Sequence, residues 1–211
     1  MRTLALSLAA TILATTATAG PVSFANGWKE QRLSLFSSND YNFGSSLSMV
    51  SDGSVSIAWT RLPTSEWNAS GASWSWTVEQ SVPPTDLSRK GGDDRNISLY
   101  FVFVPEAVAP SLEGKGIRSL LGRDDVRVMQ YAWGGNHARG TVIPSPYGSG
   151  GVTIPLRQAN TGSHSERVDL AADYARAFGG AKGALIGLAV SGDSDDTDSM
   201  IRAAIGSLSL N

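Results

Sequence analysis

The run Ile97 to Val104, reading ISLYFVFV, is apolar on both faces that a strand presents, and Pro105 closes it. A strand of this kind belongs in the middle of a sheet covered on each side, and proline ends it because it has no N–H to give a ladder. Other short runs rich in β-branched and aromatic residues are Val55 to Trp59, Ser73 to Val78, Val126 to Trp133 and Gly151 to Ile154. Clusters of Gly, Ser, Asn and Pro separate them, which predicts a mainly β fold built as a sandwich. In the second run Ser73, Ser75, Thr77 and Glu79 alternate with Trp74, Trp76 and Val78, so that strand has one polar and one apolar face.

One segment breaks this pattern. Val168, Ala171, Ala172, Ala175 and Phe178 recur at helical spacing, with Ser165 as N-cap, Glu166 and Asp169 at the positive end of the dipole and Gly179-Gly180 as the stop. An amphipathic helix is expected over 166–178, packed against the sandwich. After it, the apolar run Ala184 to Val190, a polar turn from Ser191 to Ser199 and an alternating run around Ile205 to Leu210 return the chain to β structure.

The first nineteen residues set the expected compartment. Met1 and Arg2 give a minimal basic start, Leu4 to Ala14 an apolar stretch, and Ala17-Thr18-Ala19 a small-x-small cleavage pattern, which together read as a secretory signal peptide. The apolar stretch is shorter than the ~20 residues a bilayer-spanning helix needs, so no membrane insertion is expected. Residues 20–211 then form one domain, periplasmic or secreted. No cysteine is present, so burial alone stabilises it. The formal charge of −2 becomes −3 once Arg2 leaves with the leader, and the scattered basic residues form no patch for nucleic acid.

Several segments together, WSWTVEQ, VPPTDLSRKGGDDRNISLYFVF, YAWGG, DYARAFG and GLAVSGDSDDT, resemble a family of exported bacterial proteins known only as a domain of unknown function. The resemblance spans essentially the whole chain after the leader. It implies a jelly-roll-like β-sandwich similar in outline to carbohydrate-binding modules, and no settled activity.

Four groups of residues are candidates for chemistry. Trp74 and Trp76 share a strand face and suit either a sugar-stacking platform or the core. Tyr131 and Trp133 share a face with Arg127 and Met129, whereas Val126, Val128 and Ala132 line the other, which places the aromatic pair on the less buried side. The turn KGGDDRN sets Lys90, Asp93 and Asp94 at a corner that glycine permits, for sugar hydroxyls, for acid–base work or simply as a salt-bridged turn. Last, Asp193, Asp195 and Asp196 around Thr197 resemble the opening of a calcium loop, although Asp198 and Ala204 stand where its glycine and glutamate belong. Zinc does not suit a chain without cysteine and with only His137 and His164.

The GxSxG, HExxH, P-loop and GxGxxG signatures are missing. The expectation is therefore a binding protein for a glycan or other polyhydroxylated ligand, with no cofactor beyond a structural calcium. Two alternatives stand beside it: a polysaccharide-cleaving hydrolase or lyase using Asp93 or Asp94 with His137 or Tyr131, and a structural envelope protein.

Overall fold

The computed structural model describes residues 20–120 and 122–211; the expected leader, residues 1–19, lies outside the described residues. In chain order the elements are β1 (Gly20–Pro21), β2 (Lys29–Arg32), β3 (Asp40–Phe43), β4 (Ser46–Asp52), β5 (Ser56–Arg61), β6 (Gly71–Gln80), β7 (Arg95–Val104), β8 (Arg127–Gly134), β9 (Ile143–Pro144), β10 (Gly151–Arg157), β11 (Gly162–Asp169), α1 (Leu170–Phe178), β12 (Ala184–Asp193) and β13 (Met200–Leu210). They build two sheets. The six-stranded one runs β11-β6-β13-β4-β3 with β1 added to β13, and the seven-stranded one runs β2-β5-β12-β7-β8-β10-β9. The expected β-sandwich is the observed fold.

Period-two alternation decides what lies between the sheets. From one sheet Leu47, Met49, Trp74, Trp76, Val78, Ile201 and Ile205 point inward; from the other come Ile97, Leu99, Phe101, Phe103, Met129, Tyr131, Trp133, Ile154, Leu188 and Val190. The aromatic rings interlock across the gap: Trp74 lies 5.8 Å from Tyr131, and Trp76 lies 5.7 Å from Trp133. In β13 the inward positions change from odd to even numbers, from Ile205 to Leu208, across a bulge that includes Ser207 at φ 52.

Two sequence expectations need correction here. The helix begins at Leu170, not at residue 166, and its N-cap is Asp169, whose side chain accepts a hydrogen bond from Ala172 N at 2.9 Å. Residues 162–169 extend instead along β6, with Glu166 opposite Trp74. Glu166 is buried and bonded to Arg139 and Arg157, so tertiary ion pairing outweighs the helical spacing of the alanines. Second, Tyr131 and Trp133 lie on the buried face of β8, both 0 % exposed. Arg127 suggested a wet face, but it stands at the strand's first position with its guanidinium over the Phe178 ring.

The outer face of the seven-stranded sheet is only partly covered. Residues 105–120 and 122–126, with short 3-10 turns at Ala109–Leu112 and Ile117–Leu120, pack Ala109, Leu112, Leu120 and Val126 against Val104, Ala184 and Ile186. Beyond them the sheet is open and a groove forms.

Candidate functional site

Five strands, β5, β7, β8, β10 and β12, supply the floor of this groove. On β7 the residues opposite the core-facing Ile97, Leu99 and Phe101 are Ser98 and Tyr100; on β8 the corresponding residue is Gln130, on β10 Thr153 and on β12 Ser191. Gln130 Nε2 donates to Ser98 Oγ at 2.8 Å, and Thr153 Oγ1 donates to Gln130 Oε1 at 3.1 Å, a polar chain across three adjacent strands. Val55, Ile57 and Val128 add apolar floor, Leu120, Gly122, Arg123 and Val126 line one wall, and Ser145, Pro146, Tyr147, Gly148, Gly150 and Gly151 line another, enclosing about 610 Å³. A smaller hollow of about 340 Å³ on the outer face of the six-stranded sheet, between Asp40 and Arg202, has only exposed or half-buried charges around it.

Charge gathers at one end of the groove, where β7 begins and β12 ends. The buried Arg95 donates through Nη1 to Asp93 Oδ2 at 3.1 Å and to Asp193 Oδ2 at 3.0 Å, and through Nη2 to the Tyr100 hydroxyl at 2.9 Å. Burial works against its charge, but Tyr100, Asp193 and Asp93 outweigh that and raise its pKa. Tyr147, 60 % exposed at the lip, donates its hydroxyl to Asp93 Oδ1 at 2.7 Å, and Lys90 Nζ stands 5.5 Å from its ring centroid. Burial together with that bond keeps the phenol protonated well above its ordinary range. Burial also pushes the Asp193 carboxyl up to about 7, with Arg95 pulling it down and Asp195 adding to the rise.

The structure thus unites part of the expected set and disperses the rest. Lys90 and Asp93 meet at the groove through Tyr147. Asp94, fully buried, turns away from it and accepts hydrogen bonds from Asp196 N, Thr197 N and the Thr197 hydroxyl, tying the turn before β7 to the turn after β12. Trp74, Trp76, Tyr131 and Trp133 belong to the core, so none forms an exposed platform; Tyr131 donates to Asp173 on α1, and Trp133 Nε1 donates to Asn160. His137 Nε2 lies 3.1 Å from Leu87 N and from Asp86 Oδ1, pinning a turn outside the groove lining. The acid–base pairing of Asp93 or Asp94 with His137 or Tyr131 is therefore not assembled. Among the acidic residues of the late turn, Asp193 and Asp195 approach Asp94, whereas Asp196 is outside that group.

Tyr147, Tyr100, Gln130 and Thr153 escaped the sequence reading. Gln130 carried a usable signal, because a lone amide between Val128 and Ala132 marks a face that is not plain core. Tyr147, in the Pro/Gly/Ser-rich stretch SPYGSGG, offered an aromatic residue at a loop tip.

Fold and groove define a single-domain β-sandwich with a polar, aromatic-lipped trough on one sheet. The chain belongs to the family described as Protein of unknown function (DUF3047), whose model matches residues 26–209. That bears out the resemblance to a family without settled activity. No curated protein matches the sequence. Among solved structures, the xyloglucanase domain of NopAA, a type three effector from Sinorhizobium fredii, in complex with cellobiose, is similar in outline. The likeness has a TM-score of 0.44 and 9% identity and covers 92% of this chain and 98% of that one.

Proposed function

We propose that this chain is an exported binding protein that holds a polyhydroxylated ligand, a glycan segment, in the groove of its seven-stranded sheet. The observation that carries the reading is Tyr147, an exposed ring fixed at the lip by a buried carboxylate, above a floor of amide and hydroxyl groups. Sugars present CH faces for aromatic packing and hydroxyl edges for bidentate polar groups, and a ligand site needs both in one concavity. Gln130 and Thr153 supply donors and acceptors, Val55 and Ile57 an apolar strip, and the Arg95 cluster a rigid polar end. Export rests on the leader pattern of residues 1–19.

Affinity electrophoresis against a panel of soluble neutral and acidic polysaccharides tests the reading. At least one polysaccharide should retard the native protein, and Tyr147→Ala and Gln130→Ala should each weaken that retardation about tenfold, equivalent to ~1.4 kcal/mol. Melting temperature should stay within a few degrees for Tyr147→Ala. Retardation that survives both substitutions would remove the groove from consideration.

A further inference from the structure

The antiparallel pairing of β7 with β12 sets Arg95 opposite Asp193, so the turn entering β7 and the turn leaving β12 meet. Asp94 comes from the first turn, Asp193 from the strand end and Asp195 from the second turn. Each presents one carboxylate oxygen, and these oxygens all lie within 4.8 Å of one another. Such crowding of like charge in a largely buried place needs compensation. The protein supplies only part of it. Arg95 spends its Nη1 on Asp93 and on Asp193 Oδ2, Lys90 stands over the Tyr147 ring, and the donors of Thr197 and Asp196 go to Asp94.

A second observation points the same way. Asp193 is 8 % exposed, and its Oδ1 is buried and receives no hydrogen bond from any described residue. A buried carboxylate oxygen without a donor is costly, and a nearby carboxylate cannot provide one while both are ionised. Asp94 retains accepting capacity as well, since its Oδ1 takes only one bond, at 3.3 Å.

We propose that Asp94, Asp193 and Asp195 form a binding site for a hard divalent cation of calcium's class at the joint of β7 and β12. The donor set is all oxygen and anionic, with no imidazole or thiolate in the group, which suits calcium rather than zinc or copper. Calcium contacts oxygen at about 2.3–2.6 Å, so oxygens up to 4.8 Å apart can touch one ion even from opposite sides. Asp195 is exposed, which gives the ion a path from solvent and leaves room for water to complete the shell. The site differs from the calcium-loop pattern in sequence: Asp94, a hundred residues earlier, replaces Asp196. It braces the turn that carries Asp93, and so the lip of the groove, while its existence does not depend on what the groove binds.

The test uses the full folded chain, stripped with chelator, without any glycan. Calorimetric titration with calcium chloride should show one site. Calcium at about a hundredfold excess over Kd should raise Tm by about 5–10 °C relative to chelator. Asp195→Asn, an exposed change that removes one of the crowded charges, should abolish the calcium increment and leave Tm in chelator unchanged or higher. Asp196→Asn should keep calcium affinity within about threefold. Identical melting curves in calcium and chelator, or full calcium affinity in Asp195→Asn, would overturn the site; equal affinity for magnesium would overturn its assignment to calcium.

Discussion

Glu166 illustrates how a single ionisable residue fixes the element around it. Its carboxylate is buried, and both oxygens are bonded at 2.8 Å, to Arg139 Nη2 and to Arg157 Nε. Burial alone would raise its pKa, but the two guanidiniums outweigh it and hold the carboxyl below its usual value. A depressed folded pKa stabilises the protein above the unfolded value of about 4.3 and ceases to do so as pH falls through the lower folded value. Glu166→Gln should therefore cost about 2 kcal/mol at neutral pH, since the arginines lose a charged acceptor but remain partly solvated. That difference should shrink below about pH 4, as measured by urea midpoints; a gap as large at about pH 3 as at pH 7 would sink the argument. The same residue explains a misreading. Glu166 near a helix start suits the dipole in sequence, and only its distant arginine partners reveal it as a strand residue. Tyr131 and Trp133 misled in a related way, because Arg127 marks a solvent face only if it is not at the rim, and Gln130 on the opposite face was the better guide to water.

At the scale of elements, strands with bulky β-branched and aromatic residues were legible and the serine-rich ones were not. Ile97 to Val104 and Ser73 to Val78 sit within β7 and β6, and Val126 to Trp133 overlaps β8 with both ends one residue early. β4 alternates as cleanly, with Leu47, Met49 and Ser51 buried, but its serines dilute the apolar signal, and β2 and β3 are edge strands with little to bury. The groove was not legible because it is assembled from stretches of chain far apart in sequence, and Tyr147 reaches Asp93 across 54 residues. The helix is legible at its C-terminal end, where Gly179 takes φ 77 and stops it, while its start depends on one side chain. Asp169 caps α1 by accepting from Ala172 N. Asp169→Ala should lower stability by about 1 kcal/mol and Asp169→Asn by much less, because asparagine retains the accepting oxygen. Equal losses in chemical denaturation would show that the charge, and not the cap, is what matters there.

The whole molecule depends on its last strand. β13 lies at the centre of the six-stranded sheet, paired to β6 on one side and β4 on the other, with β1 joined to its far end. Without it the sheet separates into β11-β6 and β4-β3, each a two-stranded piece, and such pairs are marginal in water. Its side chains Ile201, Ala203, Ile205, Leu208 and Leu210 are also buried in the main core, against the tryptophans of β6 and the far sheet. No disulfide holds the remaining strands in register, since the chain has no cysteine. Burial of four large aliphatic side chains at roughly 1.5–3 kcal/mol each amounts to as much as the net stability of a typical domain, about 5–15 kcal/mol. Deleting residues 200–211 should therefore abolish the native state rather than weaken it: no cooperative thermal transition by far-UV circular dichroism, and tryptophan emission shifted to the wavelength of solvent-exposed indole. Adding a peptide of residues 200–211 in excess should restore part of the buried emission, because the vacated channel between β6 and β4 presents two free strand edges with matching inward positions. A truncated chain that still melts in one sharp transition would mean that the two sheets hold together through the aromatic contacts of β6 with β7 and β8.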